Sequence, residues 1–442
     1  MSLVPAGPYA LPGVSMPSWL VRFDKDGQCT SPGTAAALIG KMRSGDYSSV
    51  LFYAHGWNTD FAAAVDQYSR FLRAFEAVIH EHPLPGFSPI FVGITWPSAW
   101  MPSTPGPQMA AEGDAQQSSD ANLFEKVISE IASDISHEDR ADFYELIDSG
   151  MLGREQALRL AAIVSGIISH PPEEVDGADG EPIGEEGILK LASLMRTAES
   201  GSAEEDIDID EIGVVGGGAR PLAAAGESWD PRDLIRLASL FQMKDRAGRV
   251  GSRGVATLLR DVLSAAKGGV HVFGHSFGSK VMLSALCAPE PLSRQPSSLL
   301  LLQPAISHLC FAETVLGRAG PGGYRAALSL VRSPVFTTYS SMDFPLHNVF
   351  HLALRRPSDL GELQIGAAGE PPGRYAALGG YGPRGMEDRT QIDPIPAVGD
   401  DYPALADYRI VALDGSDKRI TSHGDVANSY TAWALRTQIA RA

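Results

Sequence analysis

Apolar residues recur along this chain in two rhythms. Short unbroken runs, rich in β-branched and aromatic residues, stand at 18–24 (SWLVRFD), 48–58 (SSVLFYAHGWN), 88–98 (SPIFVGITWPS), 270–273 (VHVF), 297–305 (SSLLLLQPA), 333–341 (SPVFTTYSS) and 408–414 (YRIVALD). Runs of that length and make-up predict buried strands. Between them, apolar residues at three- and four-residue intervals predict helices. Phe61, Val65, Tyr68, Phe71, Leu72, Phe75, Val78 and Ile79 form such a stripe over 60–82. Further helices are expected at 31–45, with Ser31 as N-cap and Pro32 in its first turn, at 230–245, at 253–269 and at 426–442. Apolar strands joined through helices imply parallel crossovers, and hence an α/β fold.

The rhythm changes after Met101. Up to about Gly226 no strand-like run of similar strength occurs, whereas helical periodicity marks 120–136, 139–149, 154–169 and 185–199. Charge changes at the same place. Residues 101–230 carry 28 Asp+Glu against 7 Lys+Arg, a balance of −21, while the remainder sums to +4. The expected organisation is therefore a core in two parts, 1–100 and 231–442, interrupted by an acidic helical subdomain at 101–230. A Pro/Gly-rich excursion at 356–406 separates the last two strands. Asp206, Asp208 and Asp210 alternate within the acidic block and read as a solvated charge run.

Length and composition narrow the class. A chain of 442 residues with 44% hydrophobic and 20% charged residues suits one large elaborated globular domain, or a core plus an insertion. A net charge of −17 argues against nucleic acid as a partner. No apolar run approaches the roughly 20 residues a membrane-spanning helix needs. The first 20 residues contain four prolines and no basic start followed by an apolar block, so no secretory signal is expected. Cys29, Cys287 and Cys310 are too few and too scattered for a disulfide framework or a zinc site, and no metal site is predicted. Cytoplasmic location is the default, with export by a route lacking such a signal left open.

The candidate chemistry starts at GGVHVFGHSFGSK, residues 268–280. Gly-x-Ser-x-Gly alone is a weak pattern. Here it follows a predicted strand and opens a predicted helix, the setting in which a serine occupies a tight turn above a sheet. Ser276 is thus the candidate nucleophile, with Gly274 and Gly278 allowing close approach. A serine needs a base, and the base an orienting carboxylate. Asp343 follows the strand at 333–341, and His423 follows the one at 408–414, in the chain order serine, acid, histidine. Asp414 and Asp359 are reserve acids, His347 and His351 reserve bases. An oxyanion requires backbone donors. Phe277, next after the serine, is one candidate; Trp57 in HGWN is the other. His55, Gly56 and Asn58 shape that loop, and His275 beside the serine belongs to the same pocket.

AHGWN, GITWPS, GHSFGSK, SSMD and SHGD together resemble the α/β-hydrolase superfamily, and most of all a bacterial group of serine hydrolases of uncertain substrate. The likeness covers about 48–100, 240–350 and the last 35 residues. It implies a mostly parallel sheet of about eight strands with helices on both faces, and an ester hydrolase without cofactor. Two departures stand out: the long 101–230 insertion, and about 80 residues between acid and histidine. The insertion leaves after TWPS and rejoins before the serine strand, so it is expected to act as a lid. The expected activity is cleavage of a small carboxylic ester, acyl-chain esters among the candidates, through an acyl-enzyme on a Ser-His-Asp triad. Amide, peptide or thioester substrates on the same triad, and a catalytically silent binding protein, are the competing readings. Oligomeric state is not legible.

Overall fold

Six consecutive residues, Ser49–Ala54, are all buried and form one strand. That is the environment of a parallel sheet covered on both faces, and it explains why SVLFYA carries no polar alternation. The computed structural model describes residues 7–57, 59–98, 115–169, 184–199, 228–315, 320–348, 350, 376–402 and 408–442. Its strands are β1 (Ser18–Arg22), β2 (Ser49–Ala54), β3 (Pro89–Thr95), β4 (Gly269–His275), β5 (Ser298–Leu302), β6 (Val335–Tyr339), β7 (Thr390–Pro394) and β8 (Ile410–Asp414). They form a single eight-stranded sheet in the order β1-β3-β2-β4-β5-β6-β8-β7. Every pairing is parallel.

The helices of the sheet-bearing part are α1 (Pro32–Ser44) and α2 (Phe61–Glu81), then, after the insertion, α8 (Ala256–Ala265), α9 (Phe277–Leu286) and the C-terminal α13 (Ser429–Arg441). Successive strand residues point to opposite faces. Leu51, Tyr53, Phe273 and Leu300 join one core with Tyr68, Phe71 and Phe75 of α2 and Trp433 and Leu435 of α13. Tyr53 stacks on Phe273 with ring centroids 4.4 Å apart. The alternate positions, among them Val50, Phe52 and Val272, turn to the other face, where α1, α8 and α9 pack side by side. Helices therefore cover both faces.

The chain divides into two units. One comprises Met1–Ser98, Lys244–Phe350 and Ala376–Ala442 and contains the whole sheet; the second includes Ala99–Met243. Within the second, the described helices are α3 (Ala115–Asp134), α4 (Arg140–Asp148), α5 (Arg154–Ser169) and α6 (Glu185–Glu199). Its end, expected at 230, falls instead at 243, inside α7 (Pro231–Arg249). Leu234, Leu237 and Phe241 in the first half of α7 are fully buried, and a change of composition at a proline does not reveal which unit a helix packs in. A wide π turn, Val250–Val255, then carries α7 into α8. Gly251 there lies on the Val281 carbonyl and Gly254 on the Gly27 carbonyl, so neither has room for a side chain. Short helices α10 (Ala327–Leu330), α11 (Phe344–Asn348) and α12 (Leu378–Tyr381) and a 3-10 turn at Glu387–Arg389 complete the described elements, with β7 arising inside the expected 356–406 excursion. No described helix is long and apolar enough to cross a membrane.

One topological feature locates a site. The chain passes from β2 outward to β3, and later returns to the other side of β2 as β4. Connections thus diverge from the carboxyl ends of β2 and β4, and such a switch point is where open parallel sheets leave a crevice. Ala54 of β2 pairs with Gly274 of β4, so the residues that follow, His55-Gly56-Trp57 and His275-Ser276, emerge side by side.

Candidate active site

Ser276 separates β4 from α9 with φ 54° and ψ −125°. A left-handed φ is rare for a residue with a side chain and costs on the order of 1–3 kcal/mol, so its surroundings must enforce it. They do so by close contact. A Cβ on Gly274 would stand 2.5 Å from the Gly278 carbonyl, and one on Gly278 would overlap the carbonyls of Ala54 and His55. Ser276 N–H donates to Leu302 O (3.0 Å), while Ser279 Oγ donates to Gly274 O (2.8 Å), fastening both sides of the turn.

The turn brings together the three residues that the sequence singled out. Ser276 Oγ lies 2.8 Å from His423 Nε2, and His423 Nδ1 lies 2.8 Å from Asp343 Oδ2. A carboxylate only accepts, so Nδ1–H donates to it and Nε2 is left to accept the serine proton. All three are buried, Ser276 and Asp343 fully so. Burial acts to raise the Asp343 carboxyl, but the facing His423 and the donors on the carboxylate outweigh it and hold the group below its ordinary range.

Two of those donors come from residues outside the predicted set. Gln303 Nε2 donates to Asp343 Oδ2 (2.8 Å), and Leu346 N–H to Asp343 Oδ1 (3.1 Å). Gln303 directly follows β5, has φ 42°, and is itself held: Thr338 Oγ1 donates to its Oε1 (3.0 Å) and its Nε2 donates to Gly379 O (3.0 Å). Strands β4, β5, β6 and β8 are neighbours in that order, so Ser276, Gln303, Asp343 and His423 project from four adjacent carboxyl ends. The only signal for Gln303 was a polar residue closing the apolar run SSLLLL.

The HGW loop is built against the same turn. A Cβ on Gly56 would meet Ser276 Cβ at 2.8 Å, so glycine is required for that approach. His55 is neutral, burial pushing its imidazole down to about 4. Its Nδ1–H donates to Gly56 O (2.9 Å) and its Nε2 accepts from Trp96 N–H (3.2 Å). The Trp57 ring stands edge-on to Phe277 and His423, with centroids 6.0 and 5.9 Å away. Phe277 is the first residue of α9, where an N–H has no intrahelical acceptor and the helix dipole is positive. Asn58 lies outside the described residues. His275 is neutral, pushed down to about 3 by burial and by the neighbouring His423. Its ring touches the His423 main chain: Nε2–H donates to His423 O (2.8 Å).

The reserve residues take other parts. Asp414 accepts from Ser416 N–H (2.9 Å), and His347 Nε2 pairs with Ser340 O (3.2 Å) and packs on Tyr381. Asp359 and His351 lie outside the described residues. Among the described residues no group of three or more His, Cys, Asp or Glu is placed to hold a metal ion. The arrangement can draw a proton from the Ser276 hydroxyl onto an imidazole that a carboxylate keeps in one tautomer, with helix N-terminal amides close by. The chain matches no protein-family model, no curated protein and no solved structure.

Proposed function

We propose that this protein is a serine hydrolase of the α/β-hydrolase kind that cleaves a small carboxylic ester without a cofactor. The observation that supports it most is the pair of 2.8 Å hydrogen bonds running from Ser276 through His423 to Asp343. In this reading His423 Nε2 takes the hydroxyl proton as Ser276 Oγ bonds to the ester carbonyl carbon. The oxyanion is received by the main-chain N–H groups of Phe277 and Trp57. The C–O bond to the leaving alcohol then breaks as the imidazolium returns its proton to that alcohol. Water, deprotonated by the same imidazole, attacks the acyl-enzyme and regenerates the serine. Asp343 stabilises the imidazolium and keeps its tautomer, without taking the proton. The inserted segment keeps the role of lid in this reading, on chain connectivity alone.

A fluorophosphonate probe tests the nucleophile. Labelling is expected in the wild type and absent in Ser276→Ala, with hydrolysis of p-nitrophenyl esters falling by at least about a thousandfold. Folded wild-type protein that takes no label would dispose of the proposal. Matching p-nitroanilides distinguish the bond: turnover of anilides alone would replace the ester by an amide.

A further inference from the structure

His275 is not needed for proton transfer, yet its ring is the meeting point of three separate pieces of chain. Its Nε2–H donates to the carbonyl of His423 (2.8 Å). Its Nδ1 accepts from Gln67 Nε2 on α2 (2.8 Å). On a third side Gly56 approaches so closely that an added Cβ would stand 2.9 Å from that same Nδ1. The imidazoles of His275 and His423 lie 5.0 Å apart at 39°. We infer that His275, with its tautomer set by Gln67, is a positioning residue that fixes the main chain at residue 423 and so aims the His423 imidazole at Ser276.

The chemistry requires both partners. A carbonyl accepts only, so His275 must present N–H at Nε2, which leaves Nδ1 bare and in need of a donor. The Gln67 carboxamide supplies that donor, and burial keeps the ring neutral. Without the Nε2–H contact the segment after β8 is still tied at Thr421 and Asn428, but nothing described holds the carbonyl of residue 423 from the serine side. A displacement of about 1 Å at an attacking group can cost about a hundredfold in rate.

The inference rests on the hydrolase reading for its kinetic consequence, so the test has two arms. In the kinetic arm, His275→Leu is expected to slow fluorophosphonate labelling 10- to 100-fold and Gln67→Leu about 10-fold, with KM for a p-nitrophenyl ester unchanged. Rescue comes from His275→Gln, whose amide N–H falls where Nε2–H was: labelling should return to within about threefold of wild type. Wild-type labelling rates in all three variants would overturn the inference, as would His275→Gln no faster than His275→Leu at equal urea midpoints. The second arm needs no turnover. The low-field proton NMR signal of His423 Nδ1–H bonded to Asp343 should survive in His275→Gln and broaden or vanish in Gln67→Leu. An inert wild type with that pattern would reject the hydrolase reading and keep the positioning role; an unaltered signal in Gln67→Leu would reject the role itself.

Discussion

Ser276 is held in a backbone conformation that glycine would adopt more readily, with φ 54° and ψ −125°. Removing the side chain should therefore separate stability from chemistry. Ser276→Gly is expected to be more stable than Ser276→Ala by about 1 kcal/mol in urea denaturation, both being inactive. Equal midpoints would mean that the turn is unstrained. A second residue-scale expectation concerns Gln303. Gln303→Leu removes a donor from Asp343 Oδ2, so the carboxyl, now held low, moves up toward its ordinary value. A depressed carboxyl contributes stability that is complete above its unfolded pKa and disappears as pH falls through its folded pKa. The variant should therefore lose its acid-side stability at a higher pH than the wild type, with a rate near neutrality reduced about 10-fold; a urea midpoint with an unmoved dependence on acid pH would rule this out. Ser276, Asp343 and His423 were legible because each lies in the segment after an apolar strand, Ser276 immediately beyond β4 and His423 in the loop after β8, and a reactive residue type in such a segment is informative. Gln303 and Gln67 were not, since an amide advertises nothing until its partner is known.

The elements carry the site through their ends. Asn428 caps α13, its Oδ1 accepting from Tyr430 and Thr431 N–H, and its Nδ2 donating to Arg419 O and Asp425 O. One side chain thus joins a helix start to both ends of the segment that bears His423. Asn428→Ala should cost about 1–2 kcal/mol of stability and also depress labelling of Ser276; a stability loss with full labelling would show that segment to be held independently. Strand lengths were overestimated in the sequence, as in 297–305 against Ser298–Leu302, because an apolar run continues beyond the last ladder bond into buried turns such as Pro304-Ala305. Strand β7 escaped altogether. Thr390–Pro394 is an edge strand paired on one side, partly exposed along its length, with Ile392 53% accessible. Its stabilisation comes from main-chain pairing with β8, which leaves no apolar signature in TQIDP.

For the whole molecule, pH is the revealing variable. Four histidines, His55, His271, His275 and His308, are buried, and burial pushes them down to about 4, 4, 3 and 3. Each is raised back to its ordinary value near 6.5 on unfolding. Below about pH 6.5 the unfolded chain binds protons that the folded one refuses, so stability declines as pH falls and stops declining only near the folded values. The loss at pH 5 relative to pH 7 is on the order of 1–2 kcal/mol per histidine, and the urea midpoint should drop clearly between those pH values. A midpoint that stays level would mean that these imidazoles are charged in place. Another whole-chain consequence follows from the 147 residues separating Ser276 from His423. Ribosomes add roughly 5–20 residues per second, so the hydroxyl is synthesised roughly 7–30 seconds before His423, the base assigned to it in the proposed mechanism. Under the proposed mechanism the nascent polypeptide is an unreactive alcohol throughout that interval, and proteolytic fragments ending upstream of residue 423 stay so permanently.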